Sequence, residues 1–396
     1  MITKRLFFRT LCQVSTALFF AAGLTFAQRQ PFASVSGRVL DDSTSAVLQN
    51  VNVFLAQTTL GCGTNENGQF EITKIPPGSY EIVASRVGYS VNSFRVTLVS
   101  GKREFEIRLK PSAIRFNEVV VSATEPADWK KQLEKFNKMF LGSTRNAAKC
   151  RILNPEVLDF SESVYDFTAT ARAPLEIENR ALGYHLQFIL TLFTTVAPGM
   201  SVYVHSGPQV LRYEGFPRMT PLEASSAEEA AQWNENRLRA YRGSMRHFLS
   251  SLVKMEVEKE GFEMALVPRV LGVPINRYDP SSPYFPPPQA SEWNARREEV
   301  SAASLVSKTR NQDEWSLQYE GYLEVVYKLE AVERGYDLLL KRGTDAQASW
   351  LRLNVAPVTV NARGLIKEMW PTQVHGYWAW TRVADMLPLD FEPDQE

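Results

Sequence analysis

Four histidines, His185, His205, His247 and His375, are the side chains in this sequence best suited to metal-dependent or acid–base chemistry. A zinc-dependent hydrolytic site needs His ligands and a carboxylate that converge, commonly beginning with a short His-x-x-Glu on a loop. Three positions after the four histidines stand Phe188, Pro208, Ser250 and Trp378, never an acid. The motif is missing, and no CxxC pair offers a zinc ribbon or a redox site. His205, beside Ser206 and Gly207, is the best candidate for a reactive loop. A lone His in a strand–turn context is more often satisfied structure.

Nucleophile signatures are sparse. Ser251-Leu-Val-Lys254 spells S-x-x-K without the companion motifs of penicillin-binding proteins, and it falls on an amphipathic helical pattern. No G-x-S-x-G elbow, Walker loop or dinucleotide fingerprint occurs. The expectation is therefore no catalytic residue, no cofactor and no metal. Two features suit binding instead. Arg237, Arg239, Arg242 and Arg246 gather positive charge around Gly243, a grip for an anionic group that Glu228, Glu229 and Glu235 can neutralise at helical spacing. Trp378 and Trp380, two residues apart, share one face if the stretch is a strand. Such a pair forms a ligand surface when exposed and core when buried. The candidate ligand or partner surface is Trp378, Trp380, Arg242, Arg246 and His205.

These residues sit in a C-terminal region of mixed period. Trp129, Leu133, Phe136 and Phe140 fall at 4, 3 and 4 spacing, one face of a helix ending at Gly142. Strand-like runs follow at 157–171, 184–195, 201–207 and 209–216, whose alternation suggests an antiparallel sheet with one wet face. A helical pair spans 221–243 and 244–262, broken at Gly243 and ended by Gly261. Residues 272–294, including "PYFPPP", read as a loop or lid. Strands resume at 314–329, 348–354 and 358–366, and the Trp378/Trp380 stretch closes the chain.

Residues 34–110 differ. "SVSGRVL" (34–40), "VNVFL" (51–55), "GQFEITKI" (68–75), "SYEIVASRVGY" (79–89), "SFRVTLV" (93–99) and "EFEIRLK" (104–110) are short, near-alternating strands separated by "DDSTSA", "NENG", "PPG" and "SGK". This spacing predicts an antiparallel sandwich of about seven strands. The series Gly37, Val39, Asp41, Val51, Val53, the Thr64–Phe70 turn, Pro77-Gly78, Tyr80 and Gly88-Tyr89 resembles the carboxypeptidase-regulatory-like domain. That domain is a transthyretin-like Greek-key sandwich found at the N-terminus of TonB-dependent receptors of Bacteroidetes. The family usually places Asp in the turn before the glycine, where Asn65 and Glu66 stand here. The resemblance covers about a fifth of the chain and implies a non-catalytic module. The fold is also related to starch-binding-like modules, but Phe70, Tyr80 and Tyr89 alternate as core residues would. "FNEVVVSATEP" (116–126) is similar to a strand that follows this sandwich in the receptors. Val119, Val120 and Val121 are the candidate pairing strand for a partner's sheet edge, with addition to the chain's own sheet as the commoner outcome. A receptor barrel does not fit in the remaining positions.

The N-terminus reads as a secretory signal: Lys4, Arg5 and Arg9, then the apolar Ser15–Ala27 run, shorter than a membrane span. Lys plus Arg and Asp plus Glu are each 44; without residues 1–27 they are 41 against 44, a net of about −3. That balance gives no pull toward nucleic acid. Cys62 and Cys150 permit one disulfide or two free thiols.

The expected organisation is a signal peptide at 1–27, a β-sandwich at 28–112, an EVVV strand or linker at 113–126 and an α+β domain at 127–396. The fold class is mainly β with a few helices, the second domain being a larger antiparallel sheet. The expected role is binding or assembly as an exported, non-catalytic protein of the periplasm or cell envelope, or at the outer membrane. An envelope protein or a glycan is the expected partner, with no transmembrane span in the mature chain. The alternatives are a carbohydrate-binding protein and a hydrolase with a site in the C-terminal domain.

Overall fold

The computed structural model describes residues 32–112, 128–163, 166–196, 210–267, 297–311, 313–336, 346–368 and 372–393. The leader, Val119–Val121, the 201–207 run with His205 and the proline-rich 272–294 stretch lie outside the described residues.

Seven short strands build the sandwich: β1 (Ala33–Asp41), β2 (Asn52–Leu55), β3 (Gly61–Gly63), β4 (Gln69–Ile75), β5 (Gly78–Ser85), β6 (Asn92–Leu98) and β7 (Gly101–Leu109). They form two sheets, ordered β4-β1-β7 and β3-β2-β5-β6. Alternation decides the inner faces: in β4, Phe70, Ile72 and Ile75 are buried while Gln69 and Glu71 face out. They pack with Val35, Val39, Val53, Tyr80, Ile82 and Leu109 in one core. One pairing departs from the antiparallel expectation. β1 and β7 run parallel from Ala33↔Gly101 to Asp41↔Leu109, which a crossover makes possible, here through the opposite sheet. Gly37 permits that closeness, because a Cβ there would stand 1.8 Å from the Phe105 carbonyl oxygen. In the 64–70 turn, Asn65 takes the role the family gives Asp. Its Oδ1 accepts the Asn67 and Gln69 N–H groups at 3.0 and 2.9 Å, while Gly68 adopts φ +69°. β3 was not foreseen, since "GCG" carries no alternation.

Beyond residue 127 the described chain builds two cores. In the first, α1 (Trp129–Phe140) packs with a six-stranded sheet of β8 (Cys150–Ile152), β9 (Leu158–Glu162), β10 (Asp166–Ala171), β11 (Leu175–Asn179), β12 (Tyr184–Val196) and β13 (Val210–Pro221). The spacing that predicted α1 also buries it. Phe136 and Phe140 are fully enclosed, with ring centroids 4.6 Å from Phe193 and 5.1 Å from Phe188. The run 157–171 is a hairpin, β9 paired with β10, rather than one strand.

The second core surrounds a helix. α2 (Ala227–Tyr241) begins with Ser226 capping the Glu229 N–H, while the Glu229 carboxylate accepts from Ser225. α3 (Met245–Val253) presents Phe248, Leu249, Leu252 and Val253 to the interior. It ends well before Gly261, as Met255 turns the chain at φ +60°. Around α3 lie β14 (Phe262–Val267), β15 (Glu298–Glu299), α4 (Ala302–Leu305), β16 (Val306–Lys308), β17 (Glu314–Leu317), β18 (Tyr322–Ala331), β19 (Ala346–Leu353), β20 (Val358–Asn361), β21 (Thr372–Gly376) and α5 (Tyr377–Trp380). They form sheets β15-β14-β18-β19-β21 and β16-β17-β20. The 314–329 run is two strands, β17 and β18, in different sheets. The closing strand expected at Trp378 and Trp380 is instead the short helix α5, so the two tryptophans do not share a strand face.

The sandwich is seated on the six-stranded sheet. Phe54, Ala56 and Val83, on its outer face, are buried against Ile189 and Phe216. Backbone bonds cross the seam, from Gln57 N–H to Pro217 O at 2.6 Å and from Met219 N–H to Thr58 O at 2.9 Å. Arg218 donates to Asn52 Oδ1, and Asn52 Nδ2 donates to Gln187 Oε1 at 2.8 Å. After α5 and a 3₁₀ turn at Val383–Asp385, the chain runs back to this seam. There the Leu389 N–H donates to Gln57 O at 2.7 Å. Cys62 and Cys150 are free thiols, one in the sandwich and one in the first C-terminal core, and burial pushes Cys150 up to about 12. No helix among the described residues is long and apolar enough to cross a membrane.

Candidate functional site

α2 ends and α3 begins at Gly243, and this junction forms one wall of a pocket of about 590 Å³. That volume suits a small ligand. The opposite walls are the 145–149 turn, the end of β18, α5 and the Thr381–Met386 segment. Each wall is fixed by local bonds. α2 is clamped onto the β11–β12 turn by Trp233 Nε1–H to Arg180 O and Asn236 Nδ2–H to Ala181 O, at 2.9 and 2.8 Å. α5 is fastened by Trp378 Nε1–H to Gly243 O at 2.7 Å.

The ionisable lining is mixed: Arg145, Lys149, Arg239, Arg242 and Arg382 against Glu330, Glu333 and Asp385. Arg145 pairs with Glu333 at 3.5 Å, and Arg239 with Glu235 at 2.7 Å. Arg382 is held by the Tyr213 hydroxyl, and burial lowers its guanidinium. Burial raises the Glu330 carboxyl, opposed by the charges of Arg242, Arg239 and Arg145. The most perturbed acid is Asp385, which burial pushes up to about 6. Each of its oxygens accepts a bond: Oδ2 from Thr144 Oγ1 and Oδ1 from Asn146 Nδ2, both at 2.9 Å. The Thr144 hydroxyl in turn accepts the Ala147 N–H at 3.1 Å. Asp385 thus anchors the 144–149 turn to the C-terminal segment. These two bonds give the carboxylate a structural task.

The four arginines read as a cluster are dispersed. Arg239 and Arg242 line the pocket. Arg237 lies over the Tyr184 ring at 4.4 Å and donates to Leu182 O at 2.8 Å. Arg246 points the other way into the seam, where it donates to the carbonyls of Pro388 and Phe391 at 3.0 and 2.7 Å. Trp378 is 8% exposed and packs on Phe248, rings 5.8 Å apart; Trp380 is half-buried against Tyr336 and Tyr377. His247 is buried, accepting the Gly243 N–H at Nδ1 (3.1 Å) with Nε2 3.3 Å from Glu260. Ser251 of the S-x-x-K match donates to the His247 carbonyl within α3. Among the described residues, no three His, Cys, Asp or Glu side chains gather as metal ligands. Sequence reasoning missed Asp385, Asn146, Glu330 and Lys149. No motif joins them, because they lie on three separate elements, the 144–149 turn, β18 and the Val383–Asp385 turn, that only the tertiary fold brings together.

A wider groove of about 980 Å³ runs along the seam between the sandwich and the second core. Its charges are more fully paired: Arg363 with Glu392 at 2.8 Å and Lys367 with Glu314 at 3.2 Å.

Residues 35–121 match the family model described as CarboxypepD_reg-like domain, and this segment is such a domain. A search of curated proteins finds no match. Among solved structures, the chain is similar to a type II cohesin–X-dockerin complex from Acetivibrio cellulolyticus, at 22% identity and TM-score 0.19, covering 29% of this chain and 79% of that one. It is also similar to 3-chlorocatechol 1,2-dioxygenase from Rhodococcus opacus 1CP, at 14% identity and TM-score 0.18, covering 21% and 61%. A third likeness is to 5-hydroxyisourate hydrolase of Klebsiella pneumoniae, at 18% identity and TM-score 0.18, covering 20% and 91%.

Proposed function

We propose that this chain is an exported protein of the cell envelope that binds rather than catalyses. In this reading the CarboxypepD_reg-like sandwich is a fixed scaffold for the C-terminal cores. The observation that carries the reading is the commitment of Asp385, whose two oxygens serve Thr144 and Asn146. The one strongly perturbed acid of the pocket thereby holds structure in place, whereas catalytic acids are kept free for the reacting proton. The docked seam supports the scaffold role, since backbone bonds and a buried apolar patch join the sandwich to the six-stranded sheet. Residues 116–126 would supply a pairing strand to an envelope partner, and the leader at 1–27 would direct export.

The test is affinity capture from envelope fractions with the full chain and with a variant lacking residues 116–123. The reading expects a partner retained by the full chain and lost from the deletion. Equal capture by both proteins removes the pairing-strand role, and recovery of the chain in the cytoplasmic fraction alone removes export.

A further inference from the structure

The pocket at the α2–α3 junction carries more positive than negative lining, five cations against three acids. Arg242 and Lys149 are both exposed at its walls, and neither has a carboxylate within ion-pairing distance among the described residues, whereas Arg145 and Arg239 do. An unpaired guanidinium presents a planar fork of donors that matches a carboxylate. The adjoining end of α2 and start of α3 carry opposite partial charges, so helix dipoles add little net preference. Three acids in the same walls disfavour a polyanion such as a phosphate, leaving room for a single negative charge.

A second observation bears on the rest of the ligand. Gln347 is 5% exposed and lines the pocket; its Nε2–H donates to Ala331 O at 3.3 Å, and its Oε1 has no donor among the described residues. A buried acceptor without a donor is costly, and a ligand hydroxyl is one group able to supply it. Glu330, half-buried and without an ion pair among the described residues, is a second acceptor.

We infer that this pocket takes a small monocarboxylate bearing several hydroxyl groups, its carboxylate at Arg242 and Lys149 and its hydroxyls toward Gln347 and Glu330. The inference rests on the reading of the chain as a binding protein and names the ligand class. A sugar acid has this chemistry.

Isothermal titration of the purified full chain with glucuronate, and with glucose as its neutral counterpart, is the test. Glucuronate should bind at least about tenfold more tightly than glucose, the value of one charge-assisted hydrogen bond. Arg242→Ala, at an exposed position, should weaken glucuronate about tenfold without changing the melting temperature. Gln347→Leu should weaken glucuronate while leaving acetate unchanged. Equal affinity for glucose and glucuronate, full affinity in Arg242→Ala, or tighter binding of inorganic phosphate overturns the inference. Failure of glucuronate to bind while envelope capture succeeds sinks the ligand class and leaves the binding reading intact. Binding of glucuronate with no envelope capture upholds the ligand class and removes the envelope partner.

Discussion

Asp390, near the C-terminal end, accepts the backbone N–H of Thr59 at 2.9 Å and the Thr59 hydroxyl through its other oxygen, across 331 positions of sequence. Residues 57–59 of the sandwich are thereby held between β13 on one side and the segment 389–390 on the other. Arg246 and Arg363 hold the carbonyls of Pro388, Leu389 and Phe391 from behind. The last described segment is a clasp that ties the sandwich to both C-terminal cores.

Removing one carboxylate should loosen the clasp. Asp390→Ala leaves two donors of Thr59 without their partner and should cost about 1–3 kcal/mol. Amide hydrogen exchange at Gln57 and Thr59 should accelerate while exchange in β4 and β5 stays slow. Unchanged exchange at Thr59 would show that the clasp does not hold the seam.

Gly37→Ala should be severe, because the added Cβ would stand 1.8 Å from the Phe105 carbonyl oxygen in the parallel β1–β7 pair. Backbone cannot yield as a flexible side chain can, so roughly 3 kcal/mol or more should be lost. Denaturant unfolding of the variant measures it, and a loss under 1 kcal/mol, the ordinary range of neutral changes, would contradict the tight pairing.

The pH dependence carries two signatures of opposite sign. Burial raises Asp385 to about 6 from an unfolded value near 3.8. The folded state therefore holds the extra proton, and its contribution to stability falls as pH rises through this window, by about 3 kcal/mol in all. The stability of Asp385→Asn relative to the parent should rise by that order between pH 4 and pH 6.5. A flat difference curve would mean the carboxyl is not buried as described.

His375 should behave in reverse. Burial lowers it to about 4, with Arg352 adding to the shift, and its ring meets Tyr322 edge-on at 5.7 Å. Its contribution is complete above pH 6.5 and is lost as pH falls toward 4, again about 3 kcal/mol. The difference curve of His375→Gln against the parent should slope opposite to that of Asp385→Asn over this range.

The sandwich was legible because its information is local. Alternation in "GQFEITKI" chose the buried face, and turn residues at Asn65 and Gly68 chose the reversal. α1 was legible for the same reason, its 4, 3, 4 spacing delivering Phe136 and Phe140 to the core. The Trp378/Trp380 stretch misled, because two aromatics at spacing two fit a strand as well as a short helix, and the bond from Trp378 to Gly243 decided for the helix. The pocket was half legible: Arg239 and Arg242 reach it, while Arg246, beyond the helix break at Gly243, turns away to the clasp. Asp385 was invisible, since a single Asp acquires its character from burial in the tertiary fold and from Thr144 and Asn146, some 240 residues away.

The claim that this chain binds rather than catalyses is tested most directly by peptide hydrolysis with the purified full chain and stoichiometric zinc. The account predicts no turnover above the buffer rate and no zinc retained after gel filtration. One zinc retained per chain together with peptide cleavage would contradict it.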